Sequence, residues 1–258
     1  MKSKFVFGVL LILGGTLSSC KFLPKKDKIV TSFYPYTFAA KYLGRTDYDY
    51  ITVYRDVFSK SLNMEKSKLE NIKAKLLVIN GNKVDDNLKN EINYEDILVA
   101  SKYSKYEKPN YLVYLNPDKM EDIFFALSQR FCEYDKKKCK YFSKRCGDYV
   151  ALIEEVKEKL KNLAQEIIKK NVKIFLSSNI LLPLFDFMKV KTHNLNKENI
   201  EKLKGKKIII FASNKEKRRY ENLLKRYNLK YIIFDPNLKE DYAKAFIAFY
   251  KKMEEILK

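Results

Sequence analysis

Ala74-Lys75-Leu76-Leu77-Val78-Ile79-Asn80 is the stretch on which the fold turns. A near-continuous apolar run of this length, ended by Asn80-Gly81, has the pattern of a strand buried on both faces, as in a parallel sheet covered by helices. The flanking segments alternate in the same sense. Lys28-Ile29-Val30-Thr31-Ser32 predicts a short strand, and Tyr34 to Leu43 has helical spacing that stops at Gly44. Tyr48 to Tyr54 is rich in strand formers, Met64 to Lys73 is helical, Asp85 to Ile92 is a short helix and Ile97 to Ala100 a strand. This alternation predicts a first parallel-sheet lobe over residues 28–134.

Asn116-Pro117 opens another helix, from Asp118 to about Tyr134. From Lys136 to Lys170 there is no proline, and Phe142, Cys146, Tyr149, Ile153, Val156, Leu160, Leu163 and Ile167 recur in steps of three and four. That stripe predicts one amphipathic helix of roughly 35 residues, about 50 Å long, a rigid strut over residues 135–170. Patterning then resumes over 171–258. Val172 to Ser177, Lys207 to Ala212 and Tyr231 to Asp235 read as strands, and Ile180 to Met188, Lys197 to Leu203, Asn214 to Tyr227 and Glu240 to Leu257 as helices. The fold class is therefore α/β, with two parallel-sheet lobes joined by a long rigid helix and a ligand cleft between them. Ligands collect at the carboxyl ends of strands in such sheets, which places the candidate site in the loops after Ser32, Asn80, Ser177, Ala212 and Phe234.

The first residues give an address. Lys2 and Lys4 precede the apolar run Phe5 to Leu13, which then turns small and polar through Gly14, Gly15, Thr16 and Leu17-Ser18-Ser19-Cys20. The apolar core is shorter than the roughly 20 residues of a permanent span, so residues 1–19 read as a cleaved signal peptide ending in a lipobox. Cys20 is then the lipid-attachment residue, the site of palmitate-type acylation, and residues 20–27, basic and carrying Pro24, form a tether. The alternatives are an ordinary secretory signal with an incidental cysteine, or a short membrane anchor. The expected location is extracytoplasmic, lipid-anchored to a bacterial membrane on its periplasmic side or at the cell surface.

Composition narrows the classes further. With 46% hydrophobic and 14% aromatic residues the chain is not disordered, and its formal net charge is +20. Inside a cell that charge would suggest nucleic acid; outside the cytoplasm it suggests anionic headgroups or envelope polymers, or simply a lysine-rich solvated face. Nucleic acid is therefore not an expected partner, and the chain is expected to be a monomer. Beyond Cys20 the cysteines are Cys132, Cys139 and Cys146. Cys139 and Cys146 lie seven residues apart on one helix, a rise of roughly 10 Å, beyond the Cα separation of about 7 Å that a disulfide spans. Any bridge should join Cys132 to Cys139 or to Cys146. Catalysis has little support: Ser177 and Ser178 lack a matched histidine, no glycine-rich phosphate loop appears, and the chain is not expected to be an enzyme.

The order of these segments resembles a known family. The lipobox, Lys28-Ile29-Val30-Thr31-Ser32-Phe33-Tyr34-Pro35, Ala74 to Gly81, Tyr114-Leu115-Asn116-Pro117, the long helix and Phe234-Asp235-Pro236 follow one another as in the zinc and manganese solute-binding lipoproteins of ABC transporters. The resemblance implies one metal ion held between the lobes by histidines and a carboxylate, and an ABC permease as partner. Carried across singly, the ligand positions fall on Lys60, Leu112, Asn179 and Asp235, so that only Asp235 keeps a metal ligand. The single histidine, His193, lies in a segment read as connecting two helices and matches none of these positions. A protonated ammonium and a leucine offer no electron pair to a metal. The expectation is therefore a binder without a cofactor, taking zinc or manganese only if the degenerate site still binds, with Lys60 either paired to Asp235 or pointing to solvent while Asp235 caps the final turn. The alternative is a non-transport envelope lipoprotein that binds another ligand, or an anionic partner through its basic surface.

Overall fold

The structure, a computed structural model, describes residues 26–60, 62–103 and 111–258. Cys20, the signal segment and all of the tether except residues 26 and 27 lie outside the described residues. The first lobe runs β1 (Lys28–Thr31), α1 (Tyr34–Gly44), β2 (Asp49–Thr52), α2 (Lys66–Glu70), β3 (Lys73–Ile79), α3 (Leu88–Glu91), β4 (Asn93–Val99) and α4 (Pro117–Tyr134). Its four strands are parallel in the order β2-β1-β3-β4. β3 carries the apolar run, and Leu76 to Ile79 are wholly buried, as a central strand between two helical layers requires.

After α5 (Cys139–Lys169) the second lobe follows as β5 (Lys173–Leu176), α6 (Leu182–Met188), β6 (Thr192–Asn194), α7 (Lys197–Lys202), β7 (Lys207–Phe211), α8 (Asn214–Arg219), α9 (Glu221–Arg226), β8 (Lys230–Ile233) and α10 (Tyr242–Leu257). Its sheet is again fully parallel, in the order β6-β5-β7-β8. Both lobes thus use the same strand order, and in each the direction of winding reverses beside the first strand. Strand ends at such a switch point diverge and leave a crevice.

Several local expectations need correction. Lys73, read as the end of a helix, instead pairs with Asn93 as the first residue of β3. The strut begins later than Lys136, because the Asp135 carboxylate accepts from the main-chain N–H groups of Lys137 and Lys138 and caps a separate 3-10 turn, Lys136–Lys138. The helix expected over Asn214 to Tyr227 breaks at Tyr220, whose main chain leaves the helical region while its ring packs 5.8 Å from that of Phe211. His193 is not in a connecting segment; it lies in the three-residue edge strand β6, opposite Phe175.

The 31 residues of α5 span about 46 Å. The apolar stripe is buried from Phe142 to Ile167, against α4 of the first lobe and α10 of the second. One hydrophobic core therefore runs without a break through both lobes. Tyr149 concentrates this coupling. Its ring stacks on Phe124 at 4.7 Å and lies 4.6 Å from Tyr42, while its hydroxyl donates to Asp241 (2.8 Å) and accepts from the N–H of Ala243 (3.0 Å) at the start of α10. At the first end of the strut, Cys132 of α4 is disulfide-bonded to Cys139, with Cα atoms 4.3 Å apart. Cys146 is a buried free thiol that burial pushes up to about 11, which leaves it unreactive near neutrality. No helix among the described residues is long and apolar enough to cross a membrane.

A second tie between α4 and α5 is ionic. The Lys157 ammonium, its side chain only 10% exposed, lies 2.9 Å from Asp118 and 2.7 Å from Glu121, and also meets Glu154. Burial alone would lower its pKa, but hydrogen bonds to Glu121, Glu154 and Asp118 more than reverse that, and Lys157 in turn holds Glu154 below its ordinary range. Lys157→Met leaves three carboxylates around an apolar stem and is expected to cost roughly 2–4 kcal/mol, discounted because two of them are half exposed. Stability from a depressed carboxylate is present above its unfolded pKa and lost as pH falls through the folded one. The gap between variant and wild type in urea melts should therefore hold from pH 7 to about pH 5 and narrow as pH falls from there towards about pH 3, and an equal gap at pH 7 and about pH 3 would exclude the ion cluster as its origin.

Candidate functional site

The carboxyl ends of β3 in one lobe and of β7 in the other are each capped by a carboxylate that follows in the chain. Asn80 and Gly81, just past β3, donate their main-chain N–H groups to the two oxygens of Asp85, each at 2.8 Å. Burial raises the pKa of Asp85, while the Ser32 hydroxyl and these two N–H groups pull it back. In the second lobe Glu216 accepts from the N–H of Ala212, just past β7, at 3.2 Å, and from the hydroxyl of Ser177, just past β5. A carboxylate six residues beyond β3 thus closes the turn after that strand in the first lobe, and one five residues beyond β7 ties the ends of β5 and β7 in the second. The Ser177 hydroxyl is committed to this latch.

Asn80 carries the consequence to the interface. Wholly buried, it accepts at Oδ1 from the Tyr36 hydroxyl (2.8 Å) and from Val113 N–H (3.0 Å), and donates from Nδ2 to the carbonyl of Tyr111 (2.9 Å). The main chain is thereby gripped on both sides of Leu112, whose side chain is itself buried. Beyond β2, an antiparallel bridge between Tyr54 and Leu62 closes an excursion of the chain. At its tip Asp56 accepts from Phe58 N–H and the Ser59 hydroxyl, both at 3.1 Å, and Lys60 N–H bonds back to the Asp56 carbonyl. Burial would raise the Asp56 pKa, but the hydrogen bonds from Phe58, Asn237 and Ser59 hold it below its ordinary range. Lys60 stands in the left-handed region at φ 48°, so the tight turn and not residue preference sets its direction.

Across the cleft, Ser178 caps a 3-10 turn that begins at Asn179, its Oγ accepting from Ile180 N–H at 3.3 Å. After β8, Asp235 accepts both the main-chain N–H (2.9 Å) and the amide Nδ2 (2.8 Å) of Asn237. Asn237 also takes hold of the opposite lobe. Its Oδ1 accepts from Val57 N–H at 2.9 Å, its Nδ2 reaches Asp56, and the neighbouring Pro236 carbonyl accepts from the buried Tyr114 hydroxyl at 2.9 Å.

Two cavities of about 490 Å³ each result between the lobes. Lys60, Leu112 and Asn179 line one of them together, with Val57, Val84, Tyr111, Ser178, Ile180 and Leu182. Asp235 lines the other, with Arg55, Asp56, Ser213, Lys215, Glu216, Arg219, Asn237 and Lys239. Phe58, its ring 40% exposed, is the one residue common to both and forms the partition. The four positions that the resemblance assigns to ligands therefore line one interface but are divided three to one. Lys60 and Asp235 are not an ion pair; Asp235 is turned to Asn237 instead. His193 lines neither cavity: its ring lies 5.4 Å from that of Phe175, and burial, then Lys191 and Lys173, lower its pKa.

A divalent cation wants imidazole nitrogen, thiolate or carboxylate oxygen. The first cavity supplies an ammonium, a leucine and a carboxamide at the three positions, and no cluster of three or more His, Cys, Asp or Glu side chains suited to a metal occurs among the described residues. Asn237 and Phe58, which shape the interface, carry no ligand chemistry that a motif would flag. The signal for Asn237 was nevertheless present, since Asp-Pro-Asn directly after a strand is a turn in which the asparagine side chain is spent locally.

The family described as the periplasmic component A of a zinc-uptake complex matches residues 29–256. Among solved structures, the metal-dependent lipoprotein YcdH of Bacillus subtilis is 15% identical with a TM-score of 0.66, covering 90% of this chain and 97% of its own. A cadmium-bound periplasmic metal-binding protein of Candidatus Liberibacter asiaticus is 14% identical, TM-score 0.69, covering 90% and 100%. The zinc-bound ZnuA-like domain of Streptococcus pneumoniae AdcA is 14% identical, TM-score 0.67, covering 90% and 98%. No curated protein matches by sequence.

Asn237→Ala removes the acceptor of Val57 N–H and a donor to both aspartates while leaving the sheets intact. It is expected to lower stability by about 1–2 kcal/mol and to speed amide exchange at Val57 and Phe58 well before exchange in β3 changes. Uniform acceleration across both regions would show that the contact is not a local tie between lobes.

Proposed function

The chain belongs to the family of periplasmic A components of zinc-uptake complexes, and we propose that it is an extracytoplasmic solute-binding lipoprotein that has kept the scaffold and lost the metal site. The observation that carries this reading is the fate of the four ligand positions. Three of them meet in one cavity as Lys60, Leu112 and Asn179, and the fourth, Asp235, stands beyond Phe58 with its carboxylate occupied by Asn237. A cation entering the first cavity would meet a positive charge and, among the described residues, no anionic oxygen. Two of the similar structures hold cadmium and zinc; on this reading the chain presents a different chemistry at the corresponding place.

On this reading Cys20 carries the lipid, the tether of residues 20–27 joins it to the lobe that starts at β1, and an ABC permease is the partner. The protein works as a monomer and as a binder, not a catalyst. Ser177, one of the two hydroxyls that could have served as a nucleophile, instead latches β5 to β7 through Glu216.

Two measurements test the proposal. Calorimetric titration of the purified protein with zinc and with manganese is expected to show no submicromolar binding, and saturable binding of either at that level would overturn the loss of the metal site. Cys20→Ser is expected to move the protein out of the membrane fraction and abolish incorporation of labelled palmitate; unchanged fractionation and labelling would remove the lipoprotein assignment.

A further inference from the structure

Among the described residues, Lys60 is the one charged side chain that lines the first cavity, and it is in no ion pair. Around it the wall is largely apolar, with Phe58, Leu112, Ile180 and Leu182 drawn from both lobes. A positive charge in an apolar cleft is stabilised by an anion more strongly than by water once the lobes exclude solvent. The volume of about 490 Å³ lies within the range of small-molecule sites, roughly 300–1,000 Å³.

Polar groups on the facing lobe complete the arrangement. The Asn179 amide can donate from Nδ2, and the Ser178 hydroxyl, whose oxygen already accepts from Ile180 N–H, has its own hydrogen left to donate. An ammonium from one lobe and two neutral donors from the other suit one carboxylate group bridging the cleft, with an apolar body against the phenylalanine and aliphatic side chains. The neighbouring cavity is a poorer candidate, because its basic residues are accompanied by Asp56, Glu216 and Asp235.

We propose that the cavity shared by Lys60, Ser178 and Asn179 binds a small organic anion, a single carboxylate on an apolar body, with Lys60 as its counter-charge. This rests on the reading that the metal ligands are lost, and it names what replaces the metal. The charge pattern is the reverse of a metal site's: the protein provides the cation and the solute the anion.

Lysine acetylation of the whole chain, followed by mass spectrometry, tests this with phenylacetate as the probe and phenethylamine and phenethyl alcohol as its cationic and neutral counterparts. Phenylacetate is expected to slow acetylation of Lys60 by about fivefold or more while Lys215 and Lys239 in the neighbouring cavity react as before; the amine and the alcohol should protect nothing. By saturation-transfer NMR, Lys60→Gln should weaken phenylacetate binding about tenfold or more, and Lys60→Arg should restore it to within about threefold. Equal protection by all three probes, no protection by any, or full binding to Lys60→Gln would overturn the proposal. A zinc titration of the same sample separates the two failures: absence of phenylacetate binding without zinc uptake sinks this inference alone, whereas submicromolar zinc uptake sinks the reading beneath it.

Discussion

The geometry of this molecule depends on the hydroxyl of Tyr149. Its ring belongs to the aromatic packing of the first lobe and its oxygen to the start of the last helix of the second. A phenol buried this way cannot give up either side cheaply, since Asp241 would lose a donor and Ala243 N–H an acceptor. Because the residue also sits on a helix that reaches both lobes, the two sheets are held at a fixed separation, and the cleft inherits its width from a single side chain and the strut beneath it. The continuous core and the Lys157 cluster act in the same direction.

Within that fixed width, the interface is shaped by contacts of opposite character. Asn237 and Tyr114 fasten the second lobe's loop to the first by hydrogen bonds, and Phe58 divides what remains into two chambers. The chamber with Asp235 has both signs of charge, and its carboxylates are largely spent on the protein's own N–H and O–H groups. The chamber with Lys60 has, among the described residues, one sign only.

Most of the architecture was legible in the sequence because it rests on short-range regularities. The apolar run in β3 and the stripe from Phe142 to Ile167 are periodic over whole elements, and periodicity survives without knowledge of neighbours. What escaped was decided elsewhere in the chain. β6 is three residues long and exists only because β5 offers it an edge. Tyr220 interrupts a helical pattern because its ring has a place against Phe211. At the site, the four positions were identified by order, and three do meet, but the separation of Asp235 by Phe58 and the contact between Val57 and Asn237, 180 residues apart, leave no local trace. Charge counting along the chain likewise suggested a bond between Lys60 and Asp235, which a nearer amide pre-empts.

Asp85 in one lobe holds the N–H groups just past β3 as Glu216 holds the N–H just past β7 in the other, on the same strand order. The molecule is one half-plan used twice and set face to face, so the cleft is a seam between equivalent edges. What the shared plan does not supply are the excursions that divide and fasten the seam: the loop bearing Phe58 and Lys60, and the turn bearing Asp235 and Asn237.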